Sequence, residues 1–436
     1  MFISSIQARN FKGFEQRSFQ LNQHFTVAIG NNGQGKSSLL ASLQVGLGAF
    51  LVSMPTLPAN HLYRRQFRPQ ERFRKYHPNR RDFLPNTENP AIAITASCQT
   101  PNGMENISWV REYLGSKTSY NHEHTAQIAA YAQYIFEQQH LEHVTYPVLA
   151  NFQINRTNAQ VKKVDKSWRR MSRLEKGYYA ALGDTVNFSG VYEWLYAYPK
   201  LLQDGKEFDG TREAFYQAVR SAIPYIHEIE YNSLYEEFEM LAALDTETPP
   251  QRLLASDLSD GMLAMLHLVA EIAYRCIMLN GKLGQQAVQR SSGVVLIDEI
   301  DMHLHPQWQR HVVGDLKAAF PNIQFVATTH SPFIVQSLQA DELINLDRPE
   351  DHPDVDPKAL SIDMVSHELM GVESNYGIEN AEAEHSSHEY LELLQQAENA
   401  ETPQNFVEPL ERLEANISDP GLRAFLRMNR IAKNII

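Results

Sequence analysis

Three short apolar runs along the chain each end abruptly in polar residues: "FTVAIG" at 25–30, "GVVLIDE" at 293–299 and "IQFVATTH" at 323–330. Unbroken apolar runs of that length predict strands buried on both faces, as in a parallel sheet. The first is followed by "KSSLLASLQVGLGAFLV", an apolar helix, and "QWQRHVVGDLKAAFPN" between the other two predicts a right-handed βαβ crossover. Alternation at 2–10 predicts another strand, and "AIAITASC" and "NISWVREYL", joined through Pro101, Asn102 and Gly103, predict a hairpin. Residues 113–255 are mixed and mostly helical, with aromatic-rich segments such as "VYEWLYAYPKLL" and no sustained heptads. A long apolar helix follows in "LSDGMLAMLHLVAEIAYRCIMLN", and the C-terminal region predicts two or three short helices, including "SIDMVSHELM" and "EYLELLQQ". The pattern is that of an α/β protein.

Composition narrows this little. The 436 residues are 43% hydrophobic and 21% charged, an ordinary globular balance. The longest apolar stretch, Leu39 to Met54, carries Gln44 and stops at Pro55, short of the ~18 residues a membrane span needs. "MFISSIQARNFKGF" lacks the build of a signal peptide, so a cytoplasmic protein without membrane partners is expected. Cys98 and Cys276 support neither a disulfide framework nor a zinc site.

Charge is informative through its placement. The net charge is −13, yet residues 341–401 alone hold 17 acidic and 2 basic side chains. Elsewhere, 63–81 carries eight Arg or Lys among Tyr63, Phe67, Phe73 and Tyr76, and 162–176 carries seven with Trp168. Cations mixed with aromatics suit a phosphate backbone with unstacked bases, so both stretches are candidate DNA contacts. A solvated basic face is the plainer reading of the same residues.

The candidate chemistry begins at "GNNGQGKSS". Gly30, Gly33 and Gly35 allow a wrapped backbone whose amides cradle phosphates, with Asn31, Asn32 and Gln34 between them. Lys36 would reach the β and γ phosphates, Ser37 would ligate magnesium, and Ser38 closes the motif at the start of the helix. Downstream, Asp298 at a strand tip suits the magnesium shell and Glu299 suits the base that polarises a water, with His330 at the same sheet edge sensing the γ phosphate. Ser259, Asp260 and Gly261 open a second helix N-terminus. One nucleotide does not need two such sites from one chain, so Ser259 is expected to cap phosphates held by Lys36 of another copy. His122 with His124, and His303 with His305, fall in loop-like sequence and are not assigned as metal ligands.

The ordered set Gly30 to Ser37, Leu258-Ser259-Asp260-Gly261-Met262, Asp298-Glu299 with Asp301, and His330 resembles the ATP-binding-cassette ATPases of the chromosome-maintenance and RecF-like type. In those terms the stretches are a Walker A loop, a signature that departs from LSGGQ at Asp260 and Met262, a Walker B with its D-loop, and a switch histidine. The resemblance implies ATP and magnesium as ligands and a Q-loop glutamine, for which Gln153 after "YPVLANF" is the candidate. It implies an ATPase head of two lobes, 1–112 and 256–346, with a mostly helical insertion at 113–255 and an acidic helical tail at 347–436. "VLANFQINR", "DEIDMHLHPQWQ", "TTHSPFIVQSL" and "SIDMVSHELMGVES" are similar to the ATPase subunits of Septu-type anti-phage systems. That likeness implies an HNH nuclease partner of the PtuB kind, docked on the tail, and homodimers closed through ATP that can build up to a hexamer. Two alternatives stay open: a RecF-like DNA-repair ATPase, and an overcoming-lysogenization-defect nuclease. The second is disfavoured because Asp354 and Asp356 follow no apolar strand.

Overall fold

The computed structural model describes residues 1–77, 82–85, 88–114, 117–119, 122–153, 166–183, 188–243, 249–348, 355–372, 389–391, 393–397, 403–416, 423, 426–428, 430, 431 and 433. The chain divides into two compact units, Met1–Ile362 and Asp363–Ile436.

The first unit begins with β1 (Phe2–Phe11), β2 (Phe14–Gln20), β3 (Phe25–Ile29) and α1 (Lys36–Ser53). A small ribbon of β4 (Arg74–His77) and β5 (Asp82–Pro85) precedes the expected hairpin, β6 (Ala91–Thr100) and β7 (Gly103–Leu114), and then β8 (Lys117–Ser119). The middle of the chain supplies α2 (His122–Glu137), β9 (Val148–Phe152), α3 (Lys166–Arg170), α4 (Arg173–Tyr178), α5 (Ser189–Gln203) and α6 (Thr211–Ala222). An antiparallel meander follows, β10 (Ile226–Asn232), β11 (Glu237–Ala242) and β12 (Gln251–Leu254), then α7 (Asp260–Asn280) and α8 (Ala287–Arg290). The last stretch holds β13 (Gly293–Ile297), α9 (Pro306–Gln309), α10 (Val312–Ala319), β14 (Ile323–Thr328), α11 (Pro332–Gln336) and β15 (Leu343–Asn345).

The central sheet is parallel, in the order β15-β3-β14-β13-β9. Every residue of its five strands is buried, which is why their sequences are mostly apolar rather than alternating. The second sheet is antiparallel, β2-β1-β6-β7-β8. Helix α1 lies against strands of both sheets and is buried continuously from Leu39 to Leu51. Gly46 permits the close approach: a Cβ there would sit 2.2 Å from Ile94 Cδ1, while Trp109 Nε1 donates to the Gly46 carbonyl at 2.9 Å. Buried Gln324 on β14 joins the sheets, accepting from Ile3 N and donating to Ile3 O, both at 2.7 Å. Lys36–Ser53 and Asp260–Arg290 are long and apolar enough to cross a membrane, but most of each is packed inside the fold.

The segment 113–255, expected as mixed and mostly helical, holds helices α2 to α6 together with several strands. Its strand β9 pairs in parallel with β13, Val148 opposite Gly293 through Phe152 opposite Ile297, and the meander β10-β11-β12 adds further strands. It is part of the first unit, not a separate body, and that unit runs past the expected boundary at 346 to Ile362.

In the second unit Tyr390, Leu394, Ala397, Leu410 and Leu426 form a small core. The Tyr390 hydroxyl donates to Glu414 Oε1 at 2.8 Å, and Arg430 Nε donates to the same oxygen at 2.9 Å. Within "EYLELLQQ", expected to anchor a partner, Tyr390 and Leu394 belong to that core and Leu393 packs against it, while Leu391 is exposed.

Candidate functional site

Because the central strands are parallel, their C-terminal ends deliver their loops to one edge. There β3 leads into Gly30–Gly35, β13 into Asp298 and Glu299, β14 into Thr329 and His330, β9 into Gln153, and β15 into Leu346 and Asp347. The sequence-predicted phosphate loop, acidic pair, Q-loop candidate and switch histidine thus share an edge although up to 300 residues separate them.

The loop has the backbone its glycines allow. Gly33 and Gly35 have φ of 90° and 104°, a region side chains disfavour, and a Cβ on Gly35 would meet Phe14 Cε1 at 2.6 Å. Gly35 caps α1, so the helix's positive end opens directly onto the loop. Asn31, Asn32, Gly33, Gln34 and Ser37 are exposed, and Ser38 is half-buried. Lys36 Nζ donates to the Gly30 carbonyl at 2.6 Å and to the Asn31 carbonyl at 3.4 Å. Partial burial lowers the Lys36 pKa, opposed by the charges of Asp347, Glu299 and Asp298.

The acids are held in turn. Asp298 Oδ1 accepts from Thr328 Oγ1 at 2.7 Å, and Oδ2 faces Ser37 Oγ at 3.5 Å. Thr328 Oγ1 also accepts from the Glu299 amide at 2.8 Å. Glu299 has φ 48°, an uncommon conformation for a residue with a side chain, so the chain turns sharply after Asp298. Asp301 Oδ1 accepts from Thr329 Oγ1 at 2.5 Å and from the His330 amide at 3.4 Å, tying the loop after β13 to the end of β14. Gln153 follows Phe152, whose carbonyl accepts from the Asp298 amide at 2.8 Å.

Two contributors escaped the sequence reading. Asp347 Oδ2 accepts from the Asn31 amide at 2.8 Å, pinning the first turn of the loop. Thr328 is the other, a hydroxyl at the last position of a buried strand, where two carboxylate-bearing residues need a shared partner.

Ser259 caps α7, its Oγ accepting from the Met262 amide at 3.4 Å. A Cβ on Gly261 would lie 2.2 Å from the His303 carbonyl, so the signature glycine lets the loop after Asp301 pack on α7. Ser259 and Asp260 are exposed and, among the described residues, make none of the contacts that knit Lys36, Asp298 and Asp301 together. Among those residues no three or more His, Cys, Asp or Glu side chains gather as a metal site of their own. Ser37 and Asp298, whose oxygens face each other at 3.5 Å, offer the oxygen donors that suit a hard cation.

The basic stretches correct one expectation. Tyr63, Phe67 and Trp168 are buried, not free to stack on bases, and Tyr179 packs edge-on against both Tyr63 and Trp168. Arg65 is also buried, bonded to Glu71 Oε1 at 2.5 Å and to Gln44 Oε1 at 3.3 Å. Arg68, Arg74, Lys75, Tyr76 and Arg170 remain exposed, while 78–81 and 161–165 lie outside the described residues.

Two family models match the chain. "AAA domain" covers residues 5–210, and "AAA domain, putative AbiEii toxin, Type IV TA system" covers 184–336. A retron Vc95 probable ATPase of Vibrio cholerae is 26% identical over 391 residues, 78% of this chain and 72% of that protein. A retron Ec83 probable ATPase of Escherichia coli is 24% identical over 411 residues, 78% and 70% respectively. Septu protein PtuA of Bacillus thuringiensis is 46% identical over 84 residues, 19% of this chain and 20% of that one. A crystal structure of an SmcHead bound to the C-winged helix domain of ScpA aligns at TM-score 0.43 and 14% identity, over 76% of this chain and 89% of that one. The chain is thus similar to AAA domains over 5–210 and 184–336 and to probable ATPases over about three quarters of its length.

Proposed function

We propose that this chain binds ATP at the Gly30–Ser38 loop, hydrolyses it with Glu299 as base, and serves as the ATPase of an anti-phage complex. The observation that carries the reading is the convergence of Lys36, Ser37, Asp298, Glu299 and Thr328 at one edge of the parallel sheet.

The chain's own groups divide the work. Loop amides and the α1 N-terminus meet phosphate charge, and Lys36 supplies an ammonium that an approaching anion keeps protonated despite its partial burial. Thr328 locks one oxygen of Asp298 and leaves the other on the Ser37 side. Ser37, Asp298 and Gln153 would hold magnesium, which supplies charge neutralisation at the phosphates. Glu299, fixed through its amide, orients the attacking water, and His330, fixed through Asp301, reads the γ phosphate. The exposed Ser259, with Asp260 and Gly261, closes the site of a second copy, so that active assemblies are head-to-tail dimers or multiples up to a hexamer.

The likeness to Septu protein PtuA supports a nuclease partner of the HNH type, gated by nucleotide and docked on the tail. The chain would work in the cytoplasm, with DNA reached through the exposed cations of the basic stretches. A second reading is favoured by the longer matches to the two retron ATPases: service in a system of that kind with a different partner. Thermal melting tests the core of the proposal. At a ligand concentration of about 100 times Kd, linkage adds about 2.7 kcal/mol to stability. Wild type should melt higher with ATP and magnesium, and Lys36→Ala should not; equal shifts would remove the phosphate loop from the account. Purification with neighbouring gene products then separates the two partner readings.

A further inference from the structure

A cavity of about 420 Å³ opens where α3, α4 and α5 meet the C-terminal part of α7. Trp168, Trp194, Leu201 and Met278 give it apolar walls, and four cations line it, Arg169, Arg173, Lys176 and Lys206.

Most of this charge is already matched. Arg169 pairs with Glu193 at 2.8 Å, and Lys206 lies 3.6 Å from Asp204. Arg173 pairs with Glu207 at 2.7 Å, and Glu207 also accepts from Trp194 Nε1 at 2.8 Å and the Phe208 amide at 2.9 Å. That carboxylate already accepts three hydrogen bonds. Lys176 is the exception: among the described residues its half-buried ammonium has no hydrogen-bond or salt-bridge partner. Burial pushes its pKa down, and so does the neighbouring Arg173, against the opposing charges of Glu193 and Glu207.

A second group in the cavity is also unmatched. Tyr274 on α7 is 2% exposed, and its buried hydroxyl has no hydrogen-bond partner among the described residues. Burial raises its pKa, so it stays a protonated donor. Leaving such a hydroxyl unpaired costs about 1–3 kcal/mol, and an unpaired, partly desolvated ammonium adds to that cost. Lys176 and Tyr274, on different elements, both line this cavity, and an acceptor carrying negative charge would satisfy both donors.

We propose that this cavity is a binding site for a small organic anion, a phosphate or carboxylate head on a ring-sized apolar body, with Lys176 and Tyr274 holding the head. Its volume falls within the range of small-ligand sites. The body lies against the tryptophan and aliphatic walls. Because the floor is α7, the helix capped by Ser259, the ligand touches the element that presents the signature. Arg173 Nη2 donates to the Ile277 carbonyl at 2.5 Å and Arg275 Nη1 to the Gly177 carbonyl at 2.9 Å, so α4 and α7 form one frame around it.

Two of the four tryptophans line the cavity, so intrinsic fluorescence reports occupancy. The full chain is titrated with phenyl phosphate, with benzoate, and with uncharged benzyl alcohol. Saturable quenching is expected with one or both anions and none with the alcohol. Lys176→Gln should weaken binding by about tenfold or more, and Tyr274→Phe, which keeps the ring, by about two- to tenfold. Lys176→Gln should also melt no lower than wild type, because the replaced group has no partner to lose. No saturable change in wild type, or wild-type affinity in both variants, would overturn the site. If Lys176→Gln fails to fold, its ammonium is structural and the proposal fails with it, with Tyr274→Phe as the independent check.

Discussion

Replacing Thr328 by valine removes one oxygen atom and keeps the shape of a side chain that is fully buried at the end of β14. That oxygen donates to Asp298 Oδ1 at 2.7 Å and accepts from the Glu299 amide at 2.8 Å. The first bond has an ionised acceptor and is worth about 1.5–3 kcal/mol, and the second, between neutral groups, about 0.5–1.5 kcal/mol. Both carboxylate-bearing residues lose their anchor in one step. The expected cost to folding is about 2–4 kcal/mol. Turnover should fall further than affinity, because Lys36 and the loop amides still grip phosphate while Asp298 and Glu299 drift. A fall in kcat of about 10- to 100-fold corresponds to about 1.4–2.7 kcal/mol of lost transition-state stabilisation. Denaturant unfolding gives the first quantity, and phosphate release with ATP binding gives the second. Thr328→Ser restores the hydroxyl and should recover most of both. Thr328→Val with wild-type stability and kcat would refute the claim that this hydroxyl organises the acidic pair.

The basic stretches should separate by burial. Arg65→Glu breaks a buried pair and should cost about 3–5 kcal/mol in unfolding experiments, whereas Arg74→Glu, exposed, should leave stability within about 0.5 kcal/mol. Combined reversal of Arg68, Arg74, Lys75 and Arg170 should weaken DNA binding and flatten its salt dependence in mobility-shift assays; unchanged binding removes DNA from that face. Asp315 has its pKa raised by burial to about 6, against the opposing pull of His311. Its folded form holds a proton that the unfolded form has released, so its contribution is full below about pH 4 and is lost as pH rises through 6. His267, lowered to about 4 by burial, acts in the opposite sense, so the test is the difference between wild type and Asp315→Asn, which should shrink from pH 4 to pH 6. Truncation before Asp363, at the boundary of the two units, should keep the ATP-induced melting shift and abolish capture of the nuclease partner; capture at full stoichiometry would put docking elsewhere.

What could be read in advance was local. The strands β3, β13 and β14 announce themselves because burial on both faces keeps them predominantly apolar, and the phosphate loop because three glycines must precede a helix. Asp347 and Thr328 were hidden because their roles depend on which strands lie side by side. β15 pairs with β3 in register Asn345 opposite Ile29, which sets Asp347 beside Asn31, and no spacing in the sequence states that pairing. The strand in "YPVLANF" before Gln153 was legible as β3 was, but its parallel pairing as β9 with β13, more than 140 residues away, was not. The aromatics of the basic stretches were misread because interleaved cations and rings look alike whether the rings face solvent or the core. Gly190, where a Cβ would stand 2.4 Å from Trp168 Cζ2, shows how closely that ring is packed.

The central claim is that Glu299 drives hydrolysis of ATP held by the Lys36 loop, and single-turnover phosphate release measures it most directly. With labelled ATP and magnesium, wild type should bind and release phosphate, Glu299→Gln should bind as tightly with release reduced at least about 100-fold, and Lys36→Ala should fail to bind. Phosphate release from Glu299→Gln at the wild-type rate would contradict the account.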